Sequence, residues 1–202
     1  MELDNAAKIP QSYLTGLRGC IEEIEKQDVA PVAEAIFQAY RKGKNIYMFG
    51  NGGSACTASH FARDLSIGAA AAGKPRVKAV SLTDNIVIIT SLANDVNYAA
   101  VFTEQLIGQM ETGDVAIGIS CSGNSPNVLA AIAYAKENGA TTVGLTGFGG
   151  GKLKGMADMS INLSSDDYGQ VEDMHLALGH MVTYMVRERV REENDGPIHS
   201  RV

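Results

Sequence analysis

Apolar residues at the start of the chain recur at steps of three and four, which is the spacing of one helix face. The first stripe predicts an amphipathic helix and consists of Ile9, Tyr13, Leu17, Cys20, Ile21 and Ile24. A second helix is predicted after Asp28, which suits an N-cap, with Pro31 in its first turn and Gly43 at its end. Two helices ahead of the first strand exceed what a small α/β core needs, so we expect them to contact partner subunits.

From residue 45 onward, five short apolar runs alternate with helical stretches. The runs lie at residues 46–49, 77–82, 115–119, 142–145 and 159–163. Helices are predicted at residues 54–67, 84–110 (in two pieces), 125–138, 151–157 and 170–193. This alternation predicts an α/β fold, a doubly wound parallel sheet with helices on both faces. We expect one domain over residues 1–202, in which 1–43 form the helical pair, 44–193 the α/β core with the last helix, and 194–202 a tail.

The composition argues against two classes of function. Of 202 residues, 45% are hydrophobic and 20% are charged, and the formal net charge of −6 argues against nucleic-acid binding through a basic surface. The negative net charge is still compatible with an anionic ligand, because backbone N–H groups at a helix N-terminus bind phosphate without basic side chains. No apolar run is long enough to span a membrane. The first residues, MELDNAAKIPQ, do not have the charged-then-apolar layout that is typical of a secretion signal. Three cysteines without metal-binding spacing are typical of free thiols, so we expect a cytoplasmic protein.

A glycine-rich loop, which we call the first serine loop (residues 50–54), directly follows the first predicted strand. Its sequence is Gly-Asn-Gly-Gly-Ser, so the backbone can approach an anion closely while Ser54 opens the next helix. The pattern is weak by itself. It also fits an ordinary tight turn, and GNGGSA satisfies the dinucleotide-binding pattern G-x-G-x-x-A.

The second serine loop (residues 120–125, SCSGNS) follows the third predicted strand. Its hydroxyls and backbone N–H groups can converge on one anion. Capping of the next helix explains Ser125, with Pro126 at the first helical position, but does not explain Ser120 and Ser122. Two such loops on adjacent strands favour one phosphate monoester bound between them over a dinucleotide.

Two helices carry groups that can bind a metal or move protons. His60 and Asp64 are four residues apart, so they share one face of the helix that Ser54 opens. Such a pair can also be merely solvated. The last helix offers Glu172 and His180 two turns apart, and we expect the intervening His175 to support that helix or a subunit contact.

Several stretches together resemble a known family. They are GNGGSACTASHFARDL, SLANDVNYAAVF, GISCSGNSPNVLAAIAYAKENG, GLTGFGGGKLKGMADM and VEDMHLALGH. In these stretches and the N-terminal helical pair, the chain resembles the SIS (sugar isomerase) family, and within it the phosphoheptose isomerases. The resemblance implies a five-stranded parallel sheet and a homotetramer with active sites between subunits. It also implies a substrate-binding set of Asn51, Gly52, Gly53, Ser54, Asn94, Asp95, Ser120, Cys121, Ser122, Ser125 and Glu172.

The same resemblance assigns the chemistry. It implies that Asp64 and His180 carry the proton transfers, and that a divalent metal, commonly zinc, is bound by His60, Asp64, Glu172 and His180. The family usually has Glu at position 64 and Gln at position 172, and its arginine-rich segment is replaced here by SIGAAAAGKPRVK. Because Asp is one methylene shorter than Glu, we expect the metal or the helix to shift.

The expected activity is therefore aldose–ketose isomerisation of a sugar phosphate through an enediol. The resemblance makes sedoheptulose 7-phosphate and glycero-manno-heptose 7-phosphate the expected pair. The alternative is a non-catalytic SIS-type regulator or assembly factor that binds a sugar phosphate. A nucleotide-binding Rossmann enzyme is disfavoured by the serine-rich second loop.

Overall fold

The computed structural model describes residues 6–193, so the tail predicted at 194–202 lies outside the described residues. Each predicted strand is present within one residue of its predicted bounds. The strands are β1 (Asn45–Gly50), β2 (Lys78–Ser81), β3 (Val115–Ser120), β4 (Thr141–Thr146) and β5 (Met159–Asn162). All neighbouring strands run parallel, in the order β2-β1-β3-β4-β5. The predicted five-stranded doubly wound sheet is confirmed.

The helices also follow the predicted alternation. They are α1 (Ile9–Ile24), α2 (Ala30–Arg41), α3 (Gly53–Arg63), α4 (Ile86–Asp95), α5 (Thr103–Leu106), α6 (Pro126–Glu137), α7 (Leu153–Met156) and α8 (Tyr168–Glu192). The N-cap position of α2 is held by Val29 rather than by the predicted Asp28, although the Asp28 carboxylate accepts a hydrogen bond from the backbone N–H of Ala30.

The segment predicted as two helical pieces at 84–110 is divided into three. A 3-10 turn, Tyr98–Ala100, lies between α4 and α5. Two asparagines cause the division, because their side chains accept hydrogen bonds from backbone N–H groups and start new turns. Asn85 accepts from Ile88 at 3.2 Å, and Asn97 accepts from Ala100 at 3.0 Å.

The sheet has an apolar core on each face. Alternate residues of β1 point to opposite sides. Ile46 and Met48 belong to a core that also includes residues of α1, α2, α3 and α8, whereas Tyr47 and Phe49 belong to one that includes residues of α6. Helices α3 and α8 therefore lie on the same face of the sheet, where their side chains can meet.

Some apolar surface is left uncovered in the single chain. Ile9, Leu14 and Ile21 of α1 are exposed, and no residue of α4 is buried although that helix begins Ile-Val-Ile-Ile. Within residues 6–193, no helix is both long and apolar enough to cross a membrane.

Candidate active site

The two serine loops lie side by side at one edge of the sheet. β1 and β3 are hydrogen-bonded neighbours, and Gly50 is in register with Ile119. The strand order changes direction between these two strands, which is where open α/β sheets bind their ligands. The hydroxyl oxygen of Ser54 lies 3.8 Å from the sulfur of Cys121, and both residues are buried. The structure thus brings the two predicted loops together.

The first serine loop leads directly into a helix N-terminus. Gly52 has a φ of +56°, which favours glycine, and its carbonyl accepts the N–H groups of Ala55 and Cys56. Gly53 and Ser54 are the first two residues of α3. The N–H groups of these two residues donate to no backbone acceptor within residues 6–193, so they are available to an anion.

The second serine loop is ordered by its own hydroxyls. Ser125 is the N-cap of α6, but its side chain makes no capping hydrogen bond. Its hydroxyl instead lies 3.0 Å from that of Ser120, and the Ser122 hydroxyl accepts the N–H of Asn124 at 3.3 Å. Capping therefore does not account for the hydroxyl of Ser125.

A third loop, the glycine loop (residues 147–152), supports the second serine loop from the end of β4. Gly123 has a φ of +64°, and a Cβ placed there would lie 2.0 Å from the carbonyl oxygen of Gly150. Its own carbonyl accepts the N–H of Leu153 at 3.0 Å. Sequence reasoning gave this loop no role, although the consecutive glycines at 149–151 are a recognisable signal of close backbone approach.

Asn51 forms side-chain hydrogen bonds with two residues that sequence reasoning did not identify, Asn127 and Tyr98. Both residues lie in stretches that carry the family resemblance, but no pattern in those stretches indicates that their side chains contact Asn51. Asn94 and Asp95 lie at the exposed end of α4, where the Asn94 amide donates to the Asp95 carboxylate at 2.8 Å. No hydrogen bond from this pair to the serine loops is recorded within residues 6–193.

His60, Asp64 and His180, which we call the His–Asp group, meet between α3 and α8. The Nε2 atoms of the two histidines are 3.1 Å apart, and they lie 3.2 Å (His60) and 3.5 Å (His180) from Oδ2 of Asp64. The two rings are partly exposed, whereas only 14% of the Asp64 side chain is exposed. Three of the four predicted metal ligands are therefore assembled.

The packing of α3 against α8 produces this meeting. A Cβ on Gly179 would lie 3.2 Å from the ring of Phe61, so a residue without a side chain lets the helices approach closely. Asp64 is the first residue of a π-helical turn, Asp64–Gly68, that continues α3. Such turns often occur at functional sites. Nη1 of Arg63 contacts Oδ1 of Asp64 at 2.9 Å, which leaves Oδ2 to face the histidines.

The donor set of the His–Asp group fits a divalent transition metal. Its three ligand atoms all lie within 4.8 Å of one another. Two imidazole nitrogens and one carboxylate oxygen are donor types that such metals commonly bind in proteins.

Glu172 is not part of the His–Asp group. Its carboxylate lies over the first turn of α3, within 2.3 Å of the position that a Cβ on Gly53 would take. Burial raises the pKa of the Cys121 thiol, and the negative charge of Glu172 raises this pKa further. Glu172 therefore lies beside the serine loops.

His175 lies between the two regions on α8 and is fully buried. Burial lowers its pKa to about 4, although the nearby backbone of Thr146 opposes this shift. Its ring is neutral at pH 7 and belongs to the core rather than to the group that could move protons.

Comparison with known proteins gives consistent matches. A family model described as "SIS domain" matches residues 12–147. The chain is 41% identical over 166 residues to the "Probable phosphoheptose isomerase" of Thermoplasma acidophilum, which covers 82% of this chain and 90% of that protein. It is 37% identical over 163 residues to the phosphoheptose isomerase of Akkermansia muciniphila, covering 81% and 86%. The solved phosphoheptose isomerase of Neisseria gonorrhoeae superposes with a TM-score of 0.83 at 28% identity, covering 91% of this chain and 98% of that one.

Proposed function

Because the chain belongs to the SIS domain family, and within it to the phosphoheptose isomerases, we propose that it interconverts sedoheptulose 7-phosphate and glycero-manno-heptose 7-phosphate. One observation carries this proposal: helix α3 begins in the first serine loop and ends at the His–Asp group. His60 lies six residues after Ser54, a rise of about 9 Å along the helix. A sugar chain anchored by its phosphate at the loops can therefore reach the group with its carbonyl end.

The phosphate would be bound by hydroxyls and backbone N–H groups rather than by basic side chains. The hydroxyls are those of Ser54, Ser120, Ser122 and Ser125, and backbone N–H groups come from the first turn of α3. Hydrogen bonds from such donors to a charged phosphate are stronger than neutral ones. Asn51, Asn94 and Asp95 remain proposed contacts of the sugar hydroxyls.

The proton transfers are assigned to Asp64 and His180. Starting from the ketose, Asp64 takes the proton from carbon 1 while His180 gives a proton to the carbonyl oxygen on carbon 2, which produces an enediol. Asp64 then returns its proton to carbon 2, and His180 takes one from the oxygen on carbon 1, which produces the aldose. A carboxylate and an imidazole are both usual groups in general acid–base catalysis, which moves protons to and from the reacting atoms.

We further propose zinc as the metal of this site. His60, Asp64 and His180 would hold it, His180 only while its ligating nitrogen carries no proton, because metal ligands must be deprotonated. Glu172 could join them only by leaving its place over Gly53. Bound there, zinc would polarise the carbonyl oxygen of the substrate.

The relatives do not favour a non-catalytic regulator or assembly factor, because those compared above carry the names of enzymes. We propose a homotetramer, supported by the exposed apolar residues of α1 and α4, which a second copy of the chain would cover. A cytoplasmic location is also a proposal, and it is supported by three free cysteines, Cys20, Cys56 and Cys121.

The activity is tested by supplying purified protein with sedoheptulose 7-phosphate and with five- and six-carbon ketose phosphates. Aldose formation is followed by NMR before chelation, after chelation and after zinc is added back. We expect turnover of the seven-carbon substrate that chelation lowers and zinc restores. Tight binding of the ketose phosphate with no aldose formed in any of the three states would contradict the proposal and favour the regulator.

A further inference from the structure

Asn51 and Asn127 form a reciprocal pair of side-chain amides. Nδ2 of Asn51 donates to Oδ1 of Asn127 at 2.9 Å, and Nδ2 of Asn127 donates to Oδ1 of Asn51 at the same distance. Asn51 lies in the first serine loop, and Asn127 is the second residue of α6, directly after the second serine loop. The pair therefore bridges the two loops that are proposed to share the phosphate.

The orientation of this amide pair is fixed by the backbone. Oδ1 of Asn127 also accepts the N–H of Val128 at 3.0 Å, and that N–H can only donate. Asn127 therefore cannot exchange its oxygen and nitrogen positions, and its partner Asn51 is fixed with it. Only 1% of Asn127 is exposed, so an unpaired amide there would be costly.

Tyr98 adds a third member to the network. Its hydroxyl donates to Oδ1 of Asn51 at 2.9 Å, although 55% of the residue is exposed. Tyr98 begins the 3-10 turn that follows Asn94 and Asp95, the segment proposed to lie near the sugar. The network thus joins both serine loops to the segment beside the sugar.

These contacts leave the Asn51 side chain with one unused hydrogen-bond donor. Its oxygen accepts two hydrogen bonds, and one N–H of its amide is used by Asn127. The second N–H has no acceptor within residues 6–193. We propose that Tyr98 and Asn127 are positioning residues that hold Asn51 as a donor toward an oxygen of the sugar chain, an inference that rests on the function proposed above.

The test measures binding of a seven-carbon polyol phosphate, which has no carbonyl and cannot be isomerised, and of inorganic phosphate. Tyr98→Phe removes only the hydroxyl. We expect it to weaken binding of the polyol phosphate about three- to tenfold, the range for one lost neutral hydrogen bond, and to leave binding of inorganic phosphate unchanged. Tyr184→Phe is the matched control, because Tyr184 is also 55% exposed and lies on α8 beside Arg187. It should change neither affinity.

A double variant shows whether Tyr98 acts through Asn51. Asn51→Ala removes the amide, so adding Tyr98→Phe to it should cost nothing further. An equal loss in both backgrounds, or an equal loss for inorganic phosphate, would overturn the proposal. Asn127→Asp keeps the shape of the side chain but replaces the amide donor by an acceptor. It should therefore weaken binding of the polyol phosphate more than Tyr98→Phe does.

The binding measured for the wild-type protein distinguishes a failure of the proposed function from a failure of the positioning role proposed for Tyr98 and Asn127. A wild type that binds the polyol phosphate no more tightly than inorganic phosphate contradicts the proposed function, and this inference fails with it. A wild type that prefers the polyol phosphate, with the preference undiminished in Tyr98→Phe, contradicts this inference alone.

Discussion

The serine loops and the His–Asp group are built in opposite ways. The loops contain buried residues at the ends of two paired strands, and each is one short continuous segment. The His–Asp group joins partly exposed histidines that are 120 positions apart, and it depends on how two helices pack. The comparison indicates that the backbone shapes the proposed phosphate region, whereas side-chain placement shapes the proposed proton-transfer region. A substitution in one of these two regions should therefore leave the function of the other region largely unchanged.

The largest expected effect comes from removing the proton-transfer groups. His180→Ala and Asp64→Asn should each lower kcat by about 10²–10⁴-fold, the usual contribution of general acid–base catalysis. Binding of inorganic phosphate should stay unchanged, because the serine loops are separate from the His–Asp group. Steady-state kinetics and calorimetry measure the two quantities.

Asp166→Asn is the matched control for Asp64→Asn, since Asp166 is an exposed carboxylate outside the His–Asp group. Wild-type turnover in both His180→Ala and Asp64→Asn would show that the group does not move the protons. A loss of phosphate binding equal to the loss of kcat would instead show that the two regions are not independent.

The next largest effect concerns the shape of the second serine loop. Gly123→Ala places a Cβ against the carbonyl oxygen of Gly150 and forces a left-handed φ on alanine, at a cost of about 1–2 kcal/mol for the φ alone. We expect binding of inorganic phosphate to weaken on the order of tenfold or more and the melting temperature to fall.

Gly155→Ala serves as the control for that substitution. Gly155 lies in α7, and a Cβ there would meet no atom within 4 Å. Alanine is favoured over glycine in helices, so this variant should be as stable as wild type or more stable. If Gly123→Ala bound phosphate like Gly155→Ala, the glycine loop would not support the serine loop.

The two regions also differ in how far the sequence predicts them. The two serine loops have a local signal, because each is a run of glycines and serines between a predicted strand and a predicted helix. That pattern alone also fits a tight turn, and the second loop, with Ser120 and Ser122, made a phosphate site the favoured interpretation. The meeting of His60 with His180 has no local signal and could be expected only from the family resemblance. Asn127 and Tyr98 were missed because nothing near them in sequence indicates which side chain they contact.

Two finer predictions depended on side-chain packing. The sequence placed Glu172 with both the substrate and the metal, and its position over Gly53 is beside the serine loops. The expectation that the shorter Asp64 requires a shift of the helix or metal is compatible with the π-helical turn that begins at this residue. Neither feature can be read from periodicity, because a change of one methylene or one helical turn leaves the pattern of apolar residues intact.

The smallest expected effect comes from Glu172→Gln, and its sign distinguishes the two roles predicted for this residue. In the described structure the carboxylate lies at the N-terminus of α3, where the phosphate is proposed to bind. A negative charge there repels a phosphate dianion, and the amide removes the repulsion with almost no change of shape. Binding of inorganic phosphate should then tighten by about three- to tenfold, and the gain should shrink as salt is added, because salt screens partly exposed charges.

If Glu172 instead leaves Gly53 to bind the metal, Glu172→Gln should act on zinc. A neutral amide oxygen is a weaker ligand than a carboxylate, so zinc affinity would fall while phosphate affinity stayed the same. Glu188→Gln is the matched control, because Glu188 is a carboxylate of the same helix that lies outside the His–Asp group and pairs with Arg187 and Arg191. Tighter phosphate binding in Glu172→Gln alone would place this side chain with the serine loops. Weaker zinc binding alone would place this side chain with the His–Asp group. The two regions would then share Glu172 and would not be fully independent.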